Sequence, residues 1–199
     1  MSQLQASLLL PAQLAIALSM AVGALLLHAR YPASWSPAQS LQSSPLRTGW
    51  ALFEPAMAAT LLWMLCYYCF LFHESGTTFA VMQASRVAAK KNGQKPPSLA
   101  SVKYGSAGGV HTLRARRAVG NMIEQSGPFL VALWMHAAWV DAAAAARYAA
   151  WWIGFRGFYP LTFGRWFGNC KVPLLFAVTL PNYVVIVLML WPTVQVVLN

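Results

Sequence analysis

Residues 114–163 read RARRAVGNMIEQSGPFLVALWMHAAWVDAAAAARYAAWWIGFRGFYPLTF, and this stretch decides the fold. Ala118 to Val140 is an apolar run long enough to cross a bilayer. Asp141 then precedes the alanines Ala142 to Ala146, an N-cap residue before a strong helix former. The pattern predicts two antiparallel helices joined by a tight hairpin at Asp141, the second running to about Phe163. Arg117, Asn121 and Glu124 recur at i, i+4 and i+7 on one face of the first helix, with Arg114 and Pro128 beside them. Arg156, Tyr159 and Phe163 share a face of the second. Glu124 lies 17 residues before the turn and Tyr159 18 after it, so their depths differ by about 1.5 Å. An acid, an amide, two arginines and a phenol are expected to converge where polar groups are costly and functional by default. A polar clamp, with Glu124 paired to an arginine to fix helix register, accounts for the same spacing.

The rest of the chain sets the environment. Of 199 residues, 58% are apolar and 9% charged, against about a quarter charged in a soluble domain. Aromatics reach 13%, with nine Trp, and the mean hydropathy is +0.51. These figures exclude a disordered chain and a water-soluble enzyme. They imply an all-α integral membrane protein with four or five helical spans, whose first partner is the lipid bilayer. The charge is +10, from 14 Lys+Arg against 4 Asp+Glu. The basic residues fall between apolar runs, as the positive-inside rule requires, and no basic recognition module accompanies them, so nucleic acid is not expected. Eight Lys/Arg lie between Arg86 and Arg117, which puts that loop on the cytosolic, matrix or stromal side. Arg165 and Lys171 mark a second basic loop on the same side.

Leu8 to Leu27 is a further apolar run, without a Lys or Arg before it to make a secretory signal. Residues 1–30 are therefore expected to form an N-terminal hydrophobic helix, spanning the membrane or lying on it. Residues 31–49, with Pro32, Pro37 and Pro45, read as a polar linker, and residues 50–199 as the main membrane domain. In that domain the run from Trp50 to Phe72 extends through Arg86 to Lys91, residues 92–113 read as a loop, and Val172 to Leu198 is the last span, kinked by Pro173, Pro181 and Pro192. The Gly105–Gly109 stretch has neither the strand nor the Lys of a phosphate cradle. Cys66 and Cys69 read as buried apolar residues. His28, His73, His111 and His136 have no pairing that holds a metal. Glu54 before Pro55 reads as a helix-start acid.

The stretch from Arg114 through Arg117, Asn121 and Glu124 to Pro128-Phe129 resembles the second-helix signature of the MAPEG family, the membrane-associated proteins in eicosanoid and glutathione metabolism. Arg156-Gly-Phe-Tyr159 resembles the Arg-x-x-Tyr of that family's third helix. The resemblance covers about residues 55–195. It implies a MAPEG-like four-helix bundle, here with an extra N-terminal hydrophobic helix, assembled as a homotrimer with glutathione bound between subunits. By the same resemblance Arg117 holds a glutathione carboxylate, Asn121 and Glu124 address the peptide and amino group, Tyr159 lines the site, and Arg86 is a further carboxylate ligand.

The departures from the pattern bear on catalysis. Phe163 stands where the family's synthases carry a tyrosine, and Gln125 where an aromatic often follows the Glu. The thiol-activating arginine of several members falls near Cys170, where Lys171 is the nearest cation. Lys171 and Arg156 are thus the candidates to stabilise a thiolate. Two functions stay open: a glutathione-dependent transferase or peroxidase acting on lipophilic electrophiles, and a catalytically silent accessory subunit among unlike membrane subunits. The endoplasmic reticulum and the mitochondrial inner membrane both fit, and the tail Val-Val-Leu-Asn carries no retention signal.

Overall fold

The apolar runs fold as helices. The computed structural model describes residues 3–34, 50–162 and 173–199, and no strand occurs among them. In chain order the helices are α1 (Gln3–Arg30), α2 (Glu54–Lys91), α3 (Leu99–Tyr104), α4 (Gly109–Trp139), α5 (Ala142–Gly157), α6 (Tyr159–Thr162) and α7 (Pro173–Leu198). Pro55 occupies the first turn of α2, where its missing N–H costs nothing, and Glu54 beside it faces the positive helix end. Asp141 caps α5 by accepting the Ala143 N–H at 2.8 Å.

Long helices alternate in direction. At one end Arg30, closing α1, bonds Glu54, opening α2, and Arg147 near the start of α5 donates to the Tyr31 carbonyl. His136, late in α4, bonds the Met189 carbonyl of α7. The opposite end gathers Lys90 and Lys91 of α2 with the first turns of α4.

Helix α5 is the hub, packed against α1, α2, α4 and α7. Its sequence explains why: Ala142, Ala143, Ala145, Ala146, Ala149 and Ala150 are all buried, and small side chains let neighbouring backbones approach closely. Against α1 the approach is closest at Gly157, where a Cβ would meet the Met20 Cβ at 2.6 Å. Met20, Leu27 and Tyr31 share one core with Phe70, Phe129 and Trp152. The N-terminal helix is thus built into the same bundle as the helices after residue 50.

Among the described residues three helical segments are long and apolar enough to cross a membrane: Pro11–Arg30, Ala51–Lys91 and Phe176–Leu198. Four or five spans were expected. The shortfall lies in α4, whose first half carries Arg114, Arg116, Arg117 and Glu124, and in α5, whose 16 residues reach about 24 Å against a hydrocarbon core of about 30 Å.

Two expected boundaries move. Residues 92–113 are not a single loop: α3 forms with Ser98 capping the Ser101 N–H, and α4 starts at Gly109 instead of Ala118. Charged residues hid these turns from a reading of apolar runs. The elbow needs its glycines, since Gly109 has φ +62° and a Cβ on Gly108 would lie 2.1 Å from the Val102 carbonyl oxygen. The helix after Asp141 ends at Gly157 and resumes only as the short α6. Pro160 has no N–H to donate back to Arg156, which interrupts the ladder there.

Candidate functional site

The site is centred on Arg156, one residue before the end of α5 and 0% exposed. Its Nη1 donates to Gln125 Oε1 at 3.2 Å and its Nη2 donates to Asn121 Oδ1. The guanidinium carbon lies 4.7 Å from the centre of the Tyr159 ring and 5.7 Å from that of Trp152. Trp152 is stacked in turn on Phe129 of α4, with centroids 4.1 Å apart. A cation buried in this way is held by two neutral amides and two aromatic faces. Among the described residues no carboxylate comes within 4 Å of it; the ion pair that does close is Arg30–Glu54, at the far end of the bundle.

The depth argument brings Arg156, Asn121 and Tyr159 together, and the clamp it anticipated exists with different members. Glu124 is not Arg156's partner: Gln125, the next residue, is 4% exposed and takes that role. The signal was present in the core face of α4, where Met122, Gln125, Ser126, Phe129 and Leu133 are buried together. A glutamine on that face needs a partner across the interface. Ser126 completes the face, accepting the Trp63 indole N–H from α2 at 3.2 Å.

Glu124 and Arg117 make no hydrogen bond to the clamp, though the charges of both reach Tyr159 and that of Glu124 reaches Arg156. Both are exposed on the outer face of α4, so the expectation that another helix covers them is not met among the described residues. Asn121 is half-buried between the two layers. With its Oδ1 accepting from Arg156, its Nδ2 group is the part left to meet a ligand. Tyr159 is 3% exposed, its ring packed against the Arg156 guanidinium and within electrostatic reach of Glu124 and Arg117. Arg86 is exposed near the end of α2. Lys171 and Phe163 lie outside the described residues.

The arrangement thus has two layers. An outer charged layer of Arg117 and Glu124 is open to a neighbour, and an inner clamp joins α4 to α5. The inner layer is buried at Arg156 and Gln125 and reaches outward only through half-buried Asn121, whose amide Arg156 holds. Compared with known protein families, with curated proteins and with solved structures, the chain matches none.

Proposed function

We propose that the chain is a multi-pass membrane protein of MAPEG type, in which the outer face of α4 binds glutathione against a neighbouring copy. Its activity on this reading is a glutathione-dependent transfer or peroxide reduction with lipophilic electrophiles drawn from the bilayer. The observation that carries the reading is the exposure of Arg117 and Glu124 on a helix whose opposite face is buried in the core. Charge at that depth facing lipid is expensive, and a partner subunit with a zwitterionic ligand between relieves it.

The residues fit such a ligand in spacing and sign. Arg117 and Glu124 are separated by about 10 Å along α4, close to the reach of an extended tripeptide. Arg117 suits a carboxylate, Glu124 an ammonium, and the Asn121 amide a peptide carbonyl between them. Arg156 holds that amide in register. Arg86 is the further cation for a second carboxylate.

A second reading, a catalytically silent accessory subunit among unlike membrane subunits, is favoured by the clamp itself. Arg156 donates from both Nη groups inside the chain and is fully buried, which supports a structural use of its charge. Titration calorimetry with glutathione, together with the thiolate absorbance difference, separates the two. Saturable binding that is lost in Arg117→Gln and Glu124→Gln, with thiolate formed, supports the enzyme. Binding without thiolate, or no binding, supports the accessory subunit.

A further inference from the structure

Two apolar grooves run along the outer side of α5, one on each flank of Trp151 and Phe155. The first, ≈ 260 Å³, lies against α1 and is lined by Ala24, Leu25, His28 and Gly154 besides the two aromatics. The second, ≈ 450 Å³, lies against α7 and is closed by Leu180, Val184 and Leu188. Trp151 and Phe155 stack with centroids 6.1 Å apart, so they form a continuous ridge between the grooves. Trp151 is 56% exposed, a large apolar surface left uncovered by the described residues.

One turn before Trp151, at the head of the ridge, stands Arg147. Its Nη1 donates to the Tyr31 and Pro32 carbonyls at 3.2 and 3.1 Å, which fixes the guanidinium and leaves Nη2 and Nε for an anion. His28 stands at the mouth of the first groove, its ring edge-on to Trp151 at 6.1 Å. Of the other charges at this end, Arg30 is paired with Glu54 and Asp141 caps α5. From Arg147 to Phe158, the C-cap of α5 at the foot of the first groove, is about 16 Å along the helix axis, which matches the roughly 15 Å of one leaflet's hydrocarbon.

We infer that this face of α5 holds one diacyl glycerophospholipid, its two tails astride the Trp151–Phe155 ridge and its phosphate on Arg147 beside His28. The shape selects this class. A sterol or a fatty acid fills one groove only, and a partner helix needs one continuous groove, whereas two tails joined at one phosphate need the divided surface found here. The cation sits where a headgroup phosphate falls when the tails lie along the helix. The site depends on α1, which forms one wall of the first groove, and it is independent of the α4 face.

The test is native mass spectrometry of the full chain in detergent, titrated with phosphatidylcholine, with lysophosphatidylcholine and with inorganic phosphate. One diacyl lipid per chain is expected, with Arg147→Gln weakening it about tenfold and Arg147→Lys restoring most of the affinity. Gly154→Leu, which fills the first groove, should weaken the diacyl lipid about tenfold while leaving the single-chain lipid within about threefold. Val184→Trp fills the second groove from an exposed position and should act the same way, which covers the case in which Gly154→Leu fails to fold. Equal binding of one-chain and two-chain lipids overturns the inference. So does retention indifferent to Arg147, or displacement of the lipid by inorganic phosphate.

Discussion

A Cβ placed on Gly157 would sit 2.6 Å from the Cβ of Met20 and 3.8 Å from the Cα of Ala17, so the last turn of α5 touches the backbone of α1. Gly157→Ala should therefore push α1 away and lower stability by about 1–3 kcal/mol, despite the better helix propensity of alanine. Three residues earlier, a Cβ on Gly154 would meet Ala24 at an ordinary 3.5 Å. Gly154→Ala should be neutral or stabilising. Thermal denaturation of the two variants in one detergent measures the contrast; equal midpoints would contradict the close contact.

Arg156 and its two amides should behave as one unit. Gln125→Leu removes an acceptor from a fully buried guanidinium and should cost about 1–3 kcal/mol. Arg156→Met leaves Gln125 and Asn121 unsatisfied and should cost at least as much. The double variant should fall short of the sum by about 1 kcal/mol or more, because the second change then breaks nothing further. Arg156→Lys should rescue poorly, since an ammonium does not fork to two amides. Chemical denaturation of the four proteins closes the cycle.

Tyr31 gives the fold an alkaline limit. Its side chain is 1% exposed, donates to Glu54 Oε1 at 3.2 Å, and burial pushes its phenol above the ordinary value. The folded chain holds that proton more tightly than the unfolded one. The stabilisation is complete below the unfolded value of about pH 10 and is lost as pH rises through the folded value. Tyr31→Phe should cost about 0.5–1.5 kcal/mol at neutral pH and reduce the alkaline loss. Melting curves at about pH 8 and about pH 11 test it, with Tyr104→Phe, at an exposed tyrosine, as the control.

Membrane orientation follows from the alternating helices. With the native cysteines replaced, Lys95→Cys at the basic end and Ala138→Cys near the end of α4 should react with an impermeant thiol reagent from opposite sides. Arg165→Cys should label with Lys95→Cys, because positive loops share a side. Labelling of Lys95→Cys and Ala138→Cys from the same side would exclude a spanning bundle.

The hairpin around Asp141 was legible because a capping acid before five alanines announces itself, and counting from that turn was enough to bring Glu124 and Tyr159 to one depth, with Arg156 within about a turn of them. Direction was harder to read than depth. Glu124 and Gln125 differ by about 100° around the helix, and chemistry argued for the acid as the arginine's partner while the buried period of Met122, Phe129 and Leu133 pointed to the amide. The packing of α1 was missed for another reason. Ala17, Met20 and Ala24 lie against the glycines of α5, and Gly23 lies against Leu62 of α2, but a hydropathy reading weighs only how apolar a segment is. The start of α4 at Gly109 was hidden by arginines that continue a helix past the apolar run.

The brevity of α5 bears on how the protein is made. A helix of 16 residues, too short to span a bilayer by itself and ending on a buried arginine, has little to hold it in lipid as a separate segment. It becomes soluble in the membrane only with α4 already beside it, supplying Asn121 and Gln125. A translocating machinery must therefore release α4 and α5 together, as a hairpin closed at Asp141. A substitution that lengthens or loosens that turn would then show itself as a defect in biogenesis before any loss of activity appears.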